Sequence, residues 1–261
     1  MYGSSALGLQ MLHELVKQGH KLFTLAQAKQ IAPQVGLAPR SLNVVLNRLK
    51  KGGWIDSIRR GLYCVGPKSG FTPPHEYEIA HVLAPHGVIG GWTALMYHHL
   101  TQQIPSQIDV FVPGPTRKLN TPKLKQYRFH SISKDHLFGI AKVWIQDTRV
   151  SITDPERTVL QGLLTPQFLG GFQEVLYAFR MGASSLDLKK LIAYALQLNL
   201  SACKRLGWVL EYLKFPPRAY ARLAKVPSKG FIKLDSTGPA KGQWNRKWMI
   251  RENLGESKVH P

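Results

Sequence analysis

The stretch Pro39 to Lys51, PRSLNVVLNRLKK, carries side chains that can read nucleic-acid bases. At about 100° per residue, Leu42, Val45, Leu46 and Leu49 gather on one side of a helix. Arg40, Val44, Asn47 and Lys51 point the other way, and Asn43 and Arg48 flank them. Arginine can donate two hydrogen bonds to guanine O6 and N7, asparagine can pair with adenine N6 and N7, and a valine can touch a thymine methyl. Ser41 and the amides of the first turn suit a phosphate, as do Lys50 and Lys51 at the far end. A polar outer face also occurs on any solvated helix. A solvated face usually mixes charge signs, however. From Arg40 to Lys68 there are seven Lys+Arg and one acid, Asp56.

Such a helix needs neighbours to hold its leucine side. The spacing of Leu7, Met11, Leu12, Leu15 and Val16 predicts a first helix over 6–17, stopped by Gly19. Thr24 opens a second helix, with Gln27 three residues on in a capping-box arrangement and Leu25, Ala28 and Ile31 facing inward. Pro39 suits the first turn of the third helix, and Gly52-Gly53 close it. Residues 54–58 and 62–65 then read as two strands joined by a tight turn at Arg59-Arg60-Gly61. Three short helices and a β-hairpin make the pattern of a winged helix-turn-helix over residues 1–66. Arg59 and Arg60 would form the tip of the wing, reaching a backbone or a minor groove, unless they are incidental charges on an exposed turn.

Residues 67–74, rich in Pro and Gly, read as a linker. Residues 75–261 read as a larger mixed α/β domain. Helices are expected over 75–83 and 92–100, strands at IDVFV, YRFHSI and VWIQDTRVSI, a helical block over 155–214, and a last pair of strands in the basic tail. The fold class is therefore α+β, a winged helix-turn-helix followed by a mixed α/β domain.

Composition bounds the partners. The 261 residues include 44% hydrophobic residues, enough for a packed core. Lys+Arg number 35 against 15 Asp+Glu, a net charge of +20, which calls for a polyanionic partner, nucleic acid before membrane. From Lys204 to the end there are 13 Lys+Arg and four Asp+Glu, so the second part is basic in its own right. Two distant cysteines, Cys64 and Cys203, offer neither a disulfide framework nor a thiolate metal site. The amino end does not read as a signal peptide, and no run reaches the ~20 apolar residues of a spanning helix. A cytoplasmic protein is the expectation.

Candidate enzyme features are weak. Asp154 and Glu156 in SITDPERTVLQG could suggest metal-dependent phosphodiester chemistry. Asp154 as cap, Pro155 at the first helical position and Glu156 at the positive end of the dipole explain them more simply. Two residues apart on a helix, the two carboxylates should diverge. His98-His99, His75 and His81 lack metal-ligand spacing. Asp109, and Asp147 with Arg149, fit a nuclease strand poorly. No catalytic residue, metal or cofactor is expected.

The segments ALGLQMLHELVKQG, FTLAQAKQI, WIDSIRRGLY, GVIGGWTALMYHHL, IDVFVP and above all VSITDPERTVLQGLLTPQFLGGFQEVL resemble the AbiEi family, the antitoxins of abortive-infection type IV toxin–antitoxin systems. The similarity runs over residues 5–213. It implies a transcriptional repressor that binds inverted repeats in its own promoter through the winged helix. It implies a second domain that neutralises a nucleotidyltransferase-type toxin without requiring a stable complex, and that can assist DNA binding. Carried onto this chain, the DNA contacts would fall on Arg40, Asn43, Asn47, Arg48, Arg59 and Arg60. Two rival readings are a restriction-related nuclease with a winged-helix reader and a protein–protein adaptor.

Overall fold

The structure, a computed structural model, describes residues 3–254, so the end of the expected basic tail, 255–261, lies outside the described residues. The chain opens with α1 (Gly3–Lys17), β1 (Leu22–Thr24), α2 (Leu25–Ile31), α3 (Leu42–Lys51), β2 (Ile55–Arg59) and β3 (Leu62–Val65). The capping box is present. Thr24 Oγ1 accepts from the Gln27 N–H (3.2 Å), and Gln27 Oε1 accepts from the Thr24 N–H (2.7 Å). Strand β1 was not anticipated from its three residues. It forms because β3 offers it a partner, Phe23 lying opposite Tyr63, so the sheet has the order β1-β3-β2. The arrangement is consistent with a winged helix-turn-helix.

The back of α3 is sealed. Leu42, Val45, Leu46 and Leu49 join Met11, Leu12 and Leu15 of α1, Phe23 of β1 and Ile31 of α2 in one buried cluster. Helices α1 and α3 cross closely because Gly8 presents no side chain. A Cβ there would lie 2.7 Å from Val45 Cγ1.

The rest of the chain runs α4 (Glu76–Leu83), β4 (Val88–Ile89), α5 (Gly91–Tyr97), β5 (Ile108–Pro113), β6 (Tyr127–Ile132), β7 (Ile140–Ile145), β8 (Thr148–Thr153), α6 (Pro155–Leu164), α7 (Phe172–Met181), α8 (Leu188–Leu198), α9 (Leu200–Tyr212), α10 (Pro217–Ala224), β9 (Ile232–Lys233), β10 (Gln243–Asn245) and β11 (Ile250–Glu252). Five strands form a mixed sheet, β6-β5-β4-β8-β7, with β4 parallel to β8 and antiparallel to β5. Its core takes Tyr77, Ile79, Ala80 and Leu83 from α4. A separate cluster joins α6 to α10 and the C-terminal strands. Those strands form a sheet of three, not the expected pair, with β11 antiparallel to β10 and parallel to β9. The expected helix to Leu100 ends at Tyr97, ahead of His99, whose φ of 58° leaves the helical region.

Residues 67–74 do not act as the only joint. Leu62, with Leu22 and Ile58 beside it, packs into the core of the five-stranded sheet. Lys21 Nζ meets Asp147 Oδ2 at 2.6 Å, at the turn between β7 and β8. The three-helix portion is therefore held against the sheet by an apolar seam as well as by the chain.

Because α3 is anchored by only one side, truncation there should be felt strongly. Leu46→Ala is expected to lower stability by about 2–5 kcal/mol, read by urea unfolding. A loss under about 0.5 kcal/mol, the range of surface changes, would contradict the sealed back.

Candidate nucleic-acid interface

The front of α3 is open. Arg40, Asn43, Val44, Asn47, Arg48, Lys50 and Lys51 are all exposed, and Ser41 is half-buried. Val44, at 52% exposure, is an apolar side chain left in water on an otherwise hydrogen-bonding face. That is the placement a thymine methyl would use. Arg48, Lys50 and Lys51 also sit in the last turn, where cations offset the negative end of the helix dipole. Their charge thus has a structural use besides any partner.

The amino end differs from the expected helix. Ala38 is extended, and Pro39–Ser41 form a 3-10 turn, so α3 proper begins at Leu42. The Ser41 N–H donates to the Ala38 carbonyl (2.9 Å), and the Ser41 hydroxyl does not cap α3. A 3-10 turn advances about 120° per residue. Arg40 therefore leaves the bearing that an α-helical wheel assigns it, while remaining exposed.

Arg59 and Arg60 lie on a different element. Arg59 ends β2, the β2–β3 register slips between Ser57 and Arg59, and Gly61 turns the chain at φ 75°. The Gly61 carbonyl accepts from the Leu25 N–H (2.9 Å), which fastens the turn to the start of α2. Both arginines are exposed there. Behind them, burial pushes the Cys64 thiol up to about 11, with Asp56 adding to the rise. Cys64 is a packed apolar group and not a reactive thiolate.

The DPER block is a built polar knot. Asp154 Oδ1 accepts from the Arg157 N–H (2.8 Å), as the capping reading requires, and its Oδ2 accepts from the Tyr194 hydroxyl (3.0 Å). The two carboxylates do not diverge as expected. Lys190 Nζ lies 3.1 Å from Asp154 Oδ2 and 2.8 Å from Glu156 Oε2 and bridges them. Burial alone would raise the Glu156 carboxyl. The Lys190 ammonium and the Asp187 N–H outweigh burial and hold it below the ordinary carboxylate range. Arg157, almost fully buried, stacks on Phe138 and donates to the His136 carbonyl, and burial lowers its pKa to about 10. Nothing in sequence spacing pointed to Lys190 or Tyr194, which arrive from α8.

Asp109 is a further buried carboxylate. Its Oδ1 accepts from Arg128 Nε (2.8 Å) and His130 Nε2 (2.7 Å), and its own N–H donates to Thr93 Oγ1 (2.9 Å). Arg128 stands opposite it in the β5–β6 register, so the trio laces two strands together. Among the described residues, no group of three or more His, Cys, Asp or Glu could hold a metal. No helix among them is long and apolar enough to cross a membrane.

Residues 10–66 match the family described as transcriptional regulator, AbiEi antitoxin. Among solved structures, the crystal structure of the RV2827C protein from Mycobacterium tuberculosis matches with a TM-score of 0.69 at 15% identity, over 94% of this chain and 90% of that one. At that identity the likeness is one of fold. No curated protein matches the chain.

The polar knot should report itself in pH. A carboxyl depressed in the folded state adds stability above its unfolded pKa, and that stability is lost as pH falls through the folded value. Wild-type protein should exceed Glu156→Gln in urea stability at about pH 7, and the gap should close as the pH drops below the ordinary value of 4.5. A gap that stays constant to about pH 3.5 would mean that Glu156 is not held ionised.

Proposed function

We propose that this chain is a DNA-binding transcriptional repressor and the antitoxin of a type IV toxin–antitoxin system. Residues 1–66 are the winged helix-turn-helix reader, 67–74 the linker and 75–261 the antitoxin-type domain. The observation that carries the reading is α3, whose apolar side is buried while its front exposes arginine, asparagine and lysine without an acid. A helix of this width enters the major groove, with its first residues nearest the base edges. Arg40, Asn43, Val44 and Asn47 are assigned to bases. Ser41, Arg48, Lys50 and Lys51 are assigned to phosphates, and Arg59 and Arg60 to the neighbouring backbone or minor groove. The family match over residues 10–66 supports the regulator and antitoxin roles.

In mechanism, the protein occupies inverted repeats in its own promoter and blocks transcription of its operon. It contributes no catalysis. Two carboxylate sites support this reading because partners within the fold engage them, Lys190 at Asp154 and Glu156, and Arg128 and His130 at one oxygen of Asp109. The functional partner is a nucleotidyltransferase-type toxin. The site of action is the cytoplasm, with double-stranded DNA as the ligand.

Footprinting on the DNA upstream of the coding sequence tests the reading. Arg40→Ala and Asn47→Ala should each cost about 1–3 kcal/mol in operator affinity and relax base preference. Footprints identical to wild type for both would remove α3 from the groove. With roughly 6–10 phosphate contacts, affinity should fall ~10³–10⁵-fold between about 50 and 200 mM salt. A shallow slope, or nicking of the duplex when Mg²⁺ is supplied, would favour the protein adaptor or the nuclease respectively.

A further inference from the structure

The C-terminal sheet carries a second cationic face, of different chemistry from α3. Trp244 of β10 stands opposite Arg251 of β11, and Arg251 stands opposite Lys233 of β9. Residues directly opposite across a sheet share a face, so the three form one row. The next register position puts Ile250 beside Ile232 and Asn245 on the other face, where Ile250 is fully buried. That inner face is firmly seated. Trp248 is fully buried, its ring lies against Gly207 of α9 where a Cβ would be 2.0 Å away, and its Nε1 donates to Glu211. The outer row is therefore presented on a fixed support.

The outer row leaves large apolar rings in water. Trp244 is 55% exposed and Phe231 41% exposed. Their centroids are 4.7 Å apart at 67°, and Arg251 Cζ lies 4.6 Å from the Trp244 ring. An exposed aromatic pair alone would suit many partners. Here the chain that carries it is strongly cationic, and the neighbouring Glu252 carboxylate is engaged by Trp208 and Asn245. Between Lys225 and Arg251 there are seven Lys+Arg and one acid, Asp235. The Asp235 carboxylate is taken by the Thr237 N–H and hydroxyl. Lys229, Lys241 and Arg246 are exposed.

We propose that this face binds an unpaired stretch of nucleic acid, a base stacking on the Phe231–Trp244 pair while Lys229, Lys241 and Arg246 take the phosphates. Stacking selects the unpaired form. In a duplex the faces of the bases are covered by their neighbours, and an exposed indole has nothing to lie on. In a single strand every base offers a π-face, and each such stack contributes on the order of 1–3 kcal/mol. The lysines and arginines supply the backbone attraction that accompanies it. The proposal concerns a surface other than α3 and stands independently of the duplex reading.

The test uses full-length protein and a fluorescein-labelled uridine dodecamer, followed by anisotropy, beside a labelled duplex of the promoter region. Trp244→Ala should weaken binding of the dodecamer about tenfold while leaving duplex affinity within about twofold, and Trp244→Phe, which keeps a ring, should recover most of the loss. Asn47→Ala on α3 should leave dodecamer binding unchanged. Dodecamer affinity equal in wild type and Trp244→Ala overturns the proposal, as does a failure of wild type to bind it. An equal loss on both probes also overturns it, since the face would then be a general polyanion contact without stacking.

Discussion

Everything at the amino end depends on how α3 is held. Four of its ten residues are committed to the core, and Gly8 lets α1 approach close enough to close over Val45. With the back spent on burial, the remaining side chains have only one direction to go. That is why the front carries polar and cationic groups together with a valine that gains nothing from solvent. Burial here is also a means of orientation. A helix gripped along one side cannot roll, so the bearings of Asn43 and Asn47 are set by the leucines of the buried side.

The larger portion uses polar groups for the same end. Lys190 from α8 bridges Asp154 and Glu156 at the start of α6, while Tyr194 and Arg157 fill the space around them. Buried ion pairs rarely add much net stability, because desolvation offsets the attraction. Removing one partner is costly all the same, since it leaves the other charge stranded. Such a knot specifies which helix packs where. The Asp109 trio does the equivalent for β5 and β6, whose parallel pairing has no hairpin to set its register.

How much of this was legible follows from the range of the interactions. The capping box at Thr24, the cap at Asp154 and the leucine side of α3 are local patterns, and the structure carries all three. The 3-10 turn at Pro39 was missed because proline at the first position serves either helix type. Strand β1 and the three-stranded C-terminal sheet were misjudged because short strands exist only through their partners. The convergence of Asp154 and Glu156 was invisible for a related reason. On one helix they should part, and only a lysine 34 positions from Glu156 brings them together. The exposed front of α3 was legible from periodicity. The Trp244–Arg251–Lys233 row was not, because it needs a cross-strand register.

Net charge points to a polyanionic partner but not to which form of it. The segments 40–68 and 225–251 have the same ratio of seven cations to one acid over comparable lengths. What separates them is the uncharged chemistry between the charges. On α3 the gaps hold asparagine and valine, whose chemistry suits base edges displayed along a groove. On the C-terminal sheet they hold tryptophan and phenylalanine, whose chemistry suits base faces that pairing conceals. Phosphate attraction brings either form of nucleic acid to either surface. The discrimination, as proposed, comes from the hydrogen-bonding or stacking groups that only one form can satisfy.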